Sequence, residues 1–369
     1  MWFISFIFFM YLLSLLVLLF SLISVKNNFE LSKTSQKRFS IVIAFRNEEA
    51  NLKTLLTSLE TLHYPEALFE VVLVNDHSTD ASIEIIKQFT SFNKTTKLLH
   101  LPEAKSGKKA AIHLGIQHAQ FEFILTTDAD CLVHQDWLNT YNAYLQENDV
   151  AAVIGGVAIS KTNRFLEKFQ YYDFMALQAV TFAMAKLGQP ILCNAANFCY
   201  QKKVFHQLDG FVGNENLASG DDVFLLQKMR KAKLKIGYVL QQENLVLTRA
   251  ETTTKTFIQQ RKRWFYKTKQ ISSVSQKFLS LLLLSTNFSL LFLMIFNFFS
   301  TAYFTLFIAC LLIKISIDFF LTFELAKKMK LPFCVTDFLI ANLFYPVGIV
   351  YFFGYLLNSK FTWKQRTYL

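Results

Sequence analysis

Phe121–Trp137, FEFILTTDADCLVHQDW, is the stretch whose reading decides the fold. Phe121–Leu125 is a short run of apolar β-formers that breaks at Thr126-Thr127 into Asp128-Ala129-Asp130, and a helix-like segment follows from Gln135. A buried strand that runs out into two carboxylates one residue apart is a place for a cation at a sheet edge. In an open α/β sheet, ligands sit beyond the carboxyl ends of the strands. The same two aspartates also suit a cap on the next helix.

Upstream, short apolar runs alternate with helical patterns. Phe39–Phe45, Glu70–Val74 and Lys97–Leu101 read as strands. Glu48–Leu62, with Leu52, Leu55, Leu56 and Leu59 on one face, reads as a helix, as do Ala81–Phe89 and Lys108–Ala119. This alternation predicts a mainly parallel α/β sheet. The first strand ends in Arg46-Asn47-Glu48-Glu49 and the second in Asn75-Asp76-His77-Ser78-Thr79-Asp80, on the edge where Asp128-Ala129-Asp130 should emerge. Ser78, Thr79 and Asp80 equally suit a helix cap. Ser106-Gly107-Lys108-Lys109 opens a helix, where a lysine beside a glycine can approach a phosphate; the spacing is not that of a P-loop, and a solvated basic turn is the plainer alternative.

Downstream, Asn163–Leu187 is long and aromatic, with Phe165, Phe169, Tyr172 and Met175 at helical spacing. It suits either core packing or a helix on a membrane surface. Ser219-Gly220-Asp221-Asp222 then precedes an apolar run, and Gln259-Gln260-Arg261-Lys262-Arg263-Trp264-Phe265-Tyr266 closes the polar part of the chain. A basic aromatic stretch there also serves as an interfacial anchor, a reading that fits Lys262, Phe265, Lys267 and Lys269.

The 369 residues are 53% hydrophobic and include 40 Phe, too apolar for an ordinary soluble domain. Trp2–Val25 carries no charge and would reach about 36 Å as a helix, enough for a hydrocarbon core of about 30 Å. It lacks a preceding basic residue and a small-residue cleavage pattern, so it reads as an anchor rather than a signal peptide. Lys26, Lys33, Lys37 and Arg38 follow and place the next domain in the cytoplasm by the positive-inside rule. Phe278–Phe299 and Ala302–Phe323 are long enough to span, and Lys327, Lys328 and Lys330 after them mark a second cytoplasmic loop. Lys314 and Asp318, one helical turn apart, are expected to pair. Phe333–Leu357 holds Asp337 and Pro346 and either spans or dips in and returns; if it spans, Lys360, Lys364 and Arg366 fall on the far side. The expected domains are therefore an anchor at 1–25, a basic linker at 26–38, an α/β domain at 39–270 and a membrane region at 271–369.

The net charge of +11 suits an anionic membrane face and nucleotide diphosphates; no nucleic-acid module is present. The five cysteines lack C-x-x-C spacing and suggest neither a zinc site nor a disulfide frame.

The D-x-D, the late Gly-Asp-Asp and Gln260-Arg261-Lys262-Arg263-Trp264, which fits Q-x-x-R-W, follow one another in an order that resembles membrane-bound family 2 glycosyltransferases. That group includes cellulose, chitin and hyaluronan synthases and ceramide glucosyltransferases. The resemblance covers about residues 39–266, and implies a GT-A fold. Ala44-Phe45 stands where the family usually has a proline, which bears on a turn and not on chemistry. By resemblance, Asp76 contacts the nucleotide base and Glu48 lies near base or ribose. Lys108 or Lys109 borders the nucleotide. Asp128 contacts the nucleotide or a metal-bound water, and Asp130 ligates Mg²⁺ or Mn²⁺ on the diphosphate. Asp222 is the catalytic base, beside Asp221, which stands where the family has Glu or Asp. Gln260, Arg263 and Trp264 line the acceptor and diphosphate end, and Cys193-Asn194-Ala195-Ala196-Asn197 matches a loop near the acceptor more loosely.

The activity so implied is an inverting transfer from a nucleotide-diphosphate sugar, with UDP-sugars the commonest donors, to a lipid-linked or membrane-presented hydroxyl. The divalent cation and Arg263 would stabilise the leaving diphosphate, and one carboxylate would take the acceptor proton. About three C-terminal spans are few for a polymer channel, but a processive polysaccharide synthase carries the same motifs. A non-catalytic scaffold on this fold is a third reading, opposed by the intact set of acids.

Overall fold

The computed structural model describes residues 1–25, 36–92, 95–160, 164–214, 220–269, 273–356, 361–363 and 366–368. Lys26, Lys33, Ser219, Lys360 and Lys364, and most of the basic linker, lie outside the described residues.

Four parallel strands form first: β1 (Phe39–Phe45), β2 (Phe69–Asn75), β3 (Thr96–His100) and β4 (Phe123–Thr126). Each agrees with the sequence reading to within two residues, because each is an apolar run without a breaker. The helices between them are α2 (Glu49–Glu60), α3 (Ser82–Phe92) and α4 (Lys108–His118), preceded by α1 (Trp2–Ile23). After α5 (Trp137–Glu147) come β5 (Ala152–Gly155), β6 (Val157–Ile159), the long α6 (Phe165–Lys186), β7 (Phe198–Gln201) and α7 (Lys202–Gln207). Then follow α8 (Asp221–Lys231), β8 (Ile236–Val239), β9 (Val246–Thr248) and α9 (Thr254–Lys269). The seven-stranded sheet runs β3-β2-β1-β4-β7-β5-β8, with β7 alone antiparallel to its neighbours, while β6 and β9 pair apart from it.

The order 3-2-1-4 puts the topological switch between β1 and β4, and the register aligns Phe39 with both Phe69 and Phe123. Their carboxyl ends therefore open on one crevice, the expected ligand position in such a sheet. At the opposite end, buried Glu70 accepts from Ser40 Oγ at 2.6 Å and from Lys97 Nζ at 2.7 Å, tying three strands together. Close approach of α4 to the sheet depends on Gly115, since a Cβ there would come within 2.4 Å of Val42 Cγ1.

Among the described residues, four helices are long and apolar enough to cross a membrane: α1, α10 (Val274–Phe296), α11 (Thr301–Met329) and α12 (Val335–Leu356), the last over Val335–Phe352. They share a continuous core with the α/β domain, in which Leu22, Leu325 and Met329 are fully buried. The last turns of α11 enter the domain, where Met329 packs on Gly156. Lys328 Nζ donates to the carbonyls of Ile23 and Val25, which brings the ends of α1 and α11 level.

The aromatic α6 fits the core-packing reading. Its Phe182 is fully buried in the core, and it lies across α1, α11 and α12. α12 stays with the domain at both ends: Lys168 pairs with Asp337 at 2.8 Å, and Phe352 meets Phe257 of α9 at 5.0 Å between ring centroids. The expected Lys314–Asp318 pair forms at 2.7 Å. All five cysteines are unpaired.

Candidate active site

The crevice opens into a cavity of about 1230 Å³. That is larger than the roughly 300–1,000 Å³ usual for one small molecule. Glu48, Asp76, Lys108, Asp128, Asp130, Asp221, Asp222, Gln260, Arg263 and Trp264, which the sequence singled out, all line it. They come from six separate segments: the ends of β1, β2 and β4, the starts of α4 and α8, and one face of α9.

Asn47 and His77 take positive φ (51° and 57°), so the chain turns sharply as it leaves β1 and β2. Asn47 Oδ1 accepts from the Thr79 amide at 2.8 Å, which locks the two turns together. Asp80 accepts from the amides of Glu49 and Ser82, both at 3.1 Å. Burial raises its carboxyl, but these bonds outweigh that and hold it below the ordinary range. The helix-cap reading of Asp80 thus fits its geometry, while Asp76 faces the cavity. Asp76 Oδ2 accepts from the Gly107 amide at 3.1 Å, and Arg46 donates to the Asp76 carbonyl at 3.0 Å.

Gly107 (φ 100°) turns the chain into α4 and sends Lys108 inward. Its ammonium sits 2.6 Å from Asp128 Oδ1 and 3.3 Å from Asp221 Oδ2, bridging the D-x-D to the late acidic pair. Burial lowers its pKa, yet Asp128 and then Asp221 hold it well above the ordinary lysine value. Lys109 points elsewhere: it donates to the Asn214 carbonyl and covers the Phe224 ring at 5.0 Å, off the cavity.

Asp130 is pushed up to about 6 by burial, then by Asp128 and Glu48 beside it. Three carboxyls thus crowd one corner while the nearest ammonium is engaged by Asp128 and Asp221. Among the described residues no three His, Cys, Asp or Glu converge as a complete metal cage. The corner fits a cation held by one or two carboxylates with phosphate and water completing its shell.

Asp221 and Asp222 open α8 behind Gly220 (φ 90°), where the helix N-terminus favours anions. Asp222 accepts from the amides of Val223 (2.7 Å) and Ala195 (3.2 Å) and from Lys267 Nζ (3.2 and 3.4 Å). Burial works to raise its carboxyl, but Lys267 and then Lys108 keep it below the ordinary value. Asp221 goes the other way: burial raises it, against Lys108. Of this adjacent pair, Asp222 is the carboxyl held below the ordinary value and Asp221 the one raised above it.

On α9, Gln260, Arg263, Trp264 and Lys267 share a face. An ion pair between Arg261 and Asp173 fixes that helix to α6, and the Arg261 guanidinium lies 4.5 Å from the Trp264 ring centre. Burial lowers the Arg263 pKa, opposed by Asp128, Glu251, Asp130 and Asp221 around it. Cys193, Asn194, Ala195 and Ala196 line the cavity, but Asn197 does not. It is fully buried, accepting from Trp137 (2.9 Å) and Tyr141 (2.7 Å) and donating to the carbonyls of Gly156 (2.8 Å) and Asn244 (2.7 Å).

Sequence reasoning missed Lys267, which it grouped with interfacial anchors. Its place one turn beyond Arg263 was the available signal. It also missed that the cavity continues between α1, α10, α11 and α12.

Residues 40–208 match the family model described as glycosyl transferase family 2. The glycosyltransferase AglE of Haloferax volcanii is 27% identical over 201 residues, 54% of this chain and 62% of that one. The poly-beta-1,6-N-acetyl-D-glucosamine synthase of Staphylococcus epidermidis is 30% identical over 139 residues, 37% of this chain and 33% of that one. The chain therefore spans under two thirds of the length of either relative. The mannosyltransferase PcManGT from Pyrobaculum calidifontis, solved in complex with GDP-Man and Mn²⁺, shares the fold with a TM-score of 0.57 at 14% identity, over 96% of this chain and 94% of that one. The sheet order, the motifs at its edge and the family match lead to one conclusion: residues 40–208 belong to glycosyl transferase family 2.

Proposed function

We propose that the protein is a membrane-bound inverting glycosyltransferase, moving a sugar from a nucleotide-diphosphate donor to the hydroxyl of a lipid-linked or membrane-presented acceptor. The observation that carries this reading is the shared cavity: the Asp130 corner, suited to a cation and diphosphate, and Asp222, suited to a proton, open into the same space. Asp76 and Glu48 take the nucleoside end. Lys108 and Arg263 face the phosphates. The divalent ion, Mg²⁺ or Mn²⁺, held by Asp130 with help from Asp128, would act as a Lewis acid on the leaving diphosphate. Asp222 takes the acceptor proton as the hydroxyl attacks the anomeric carbon from the face opposite the leaving group, which inverts that centre. Trp264 and Gln260 border the acceptor. The catalytic domain is read as cytoplasmic, on the side of Lys37 and Arg38.

A processive synthase remains the second reading, favoured by the match to the Staphylococcus enzyme. Purified full-length protein, supplied with membranes and a panel of radiolabelled nucleotide sugars, separates the two. A single labelled, lipid-extractable product supports the proposal, and a ladder of water-soluble chains supports the alternative. No incorporation from any donor, together with no donor hydrolysis, overturns both.

A further inference from the structure

Trp264 does not stand alone on α9. The Arg261 guanidinium, one turn earlier, lies 4.5 Å from the centre of its ring, and Phe174 of α6 meets the ring at 6.1 Å between centroids, with the planes 45° apart. The guanidinium is itself fixed from two directions. It lies 4.7 Å from the centre of the Phe257 ring, one turn further back on α9, and it pairs with Asp173, the neighbour of Phe174 on α6. Both charged side chains are shielded, at 18% and 12% exposure. Three residues before Asp173, Gln170 accepts from the Glu251 amide at 2.9 Å and donates to the Glu251 carbonyl at 2.8 Å, which sets α6 in register with the segment leading into α9. Asp173, Phe174, Arg261 and Trp264 all border the cavity.

Resting on the reading that puts Trp264 beside the acceptor, we infer that Asp173 and Arg261 are positioning residues. The pair sets the orientation of the Trp264 indole and, through it, the alignment of the acceptor hydroxyl with the donor. Position 261 is unspecified in Q-x-x-R-W, so the motif gives Arg261 no role of its own. A pair that served only to join two helices would gain little, because apolar side chains of similar volume do that as well; what a shielded ion pair adds is a fixed geometry. A guanidinium suits the task because its planar, charged group can face a ring and a carboxylate at once. Phe174 supplies a second wall from α6. An indole so held presents a fixed surface, and a sugar packed on it has less orientational freedom to lose before it reacts. Asp173 and Arg261 neutralise one another rather than the acids around Asp130, so their effect falls on transfer more than on cleavage of the donor.

The test uses full-length protein supplied with membranes and the nucleotide sugar that the panel above identifies, and reads two rates: sugar transferred to the membrane fraction and donor lost to water. Acceptor alignment governs the first, whereas a defect of folding lowers both. Asp173→Asn and Arg261→Gln are each expected to lower the ratio of transfer to hydrolysis on the order of tenfold. Phe174→Leu leaves no charge unpaired and decides the question if the first two variants unfold; it is expected to lower the ratio about threefold, the size of one aromatic contact. Combined with Trp264→Leu, none of the three lowers the ratio further, because all act through that ring. Unchanged ratios in the folded variants, equal loss of both rates, or a full additional loss on top of Trp264→Leu each overturns the inference. A wild type that transfers no sugar instead removes the transferase reading on which it rests.

Discussion

Replacing Lys267 with Met is the sharpest test of how the base is set. The Lys267 ammonium lies 3.2 Å from Asp222, and both side chains are shielded, at 15% and 7% exposure. At that separation the attraction is about 1 kcal/mol at the dielectric constant of water and about 5 kcal/mol at an effective value of 20. The shielding places the pair between these limits and nearer the second, so a loss of about 2–4 kcal/mol is expected. At 1.36 kcal/mol per factor of ten, that is on the order of 100-fold in kcat/KM on the acid limb, where the wild-type carboxyl is still ionised and the variant's is not. The sign follows from Asp222. Burial raises its carboxyl and Lys267 is the largest opposing influence, so removing the ammonium moves protonation to higher pH. The acid limb of kcat/KM should shift upward, with activity recovering as the pH rises, and Lys267→Arg should restore the wild-type profile. Donor hydrolysis measured from pH 5 to 9 is a sufficient assay. An unshifted acid limb in the Met variant would refute the reasoning, as would a loss that no pH recovers.

Other consequences are as direct. Asp222→Asn should abolish transfer while nucleotide binding persists, read by titration calorimetry alongside turnover; full turnover would remove Asp222 as the base. The raised Asp130 carboxyl, at about 6, favours the protonated folded state, so the site stabilises the metal-free protein below the ordinary carboxylate range and loses that contribution as pH rises through about 6. Mn²⁺ should therefore raise the melting temperature more at pH 7.5 than at pH 5, and equal shifts at both pH values would contradict the assignment. Asn197→Ala leaves the Trp137 and Tyr141 donors and two buried carbonyls without their partner, and should cost about 3–5 kcal/mol in chemical denaturation. A loss under 1 kcal/mol would show that water replaces the amide.

The catalytic half of this arrangement is legible because it is local. Each of β1, β2 and β4 is an apolar run that ends in polar residues, and a parallel sheet sends all three ends to one edge. The bridge by Lys108 was half legible. Adjacent residues on a helix point about 100° apart, so Lys108 and Lys109 cannot both face the crevice, but only the packing of Phe224 decides which one turns away. Lys267 was hidden by its neighbourhood, since basic residues beside membrane helices have a ready alternative explanation. α12 was undecidable from composition, because its apolar face serves a domain surface as well as it would serve lipid. The part of the cavity between α1 and α11 was out of reach altogether: Tyr11 meets Asp318 across 307 residues, and only the Lys314–Asp318 half of that cluster is written in one helix.

The central claim is that a cation corner at Asp130 and a base at Asp222 act on one bound donor. Mn²⁺-dependent binding and hydrolysis of a nucleotide sugar, measured side by side for wild type, Asp130→Asn and Asp222→Asn, addresses it most directly. The account requires Asp130→Asn to lose metal-dependent binding and turnover together, and Asp222→Asn to bind as the wild type does but fail to turn over. Wild-type hydrolysis rates in both variants, or undiminished wild-type turnover in excess chelator, would contradict it.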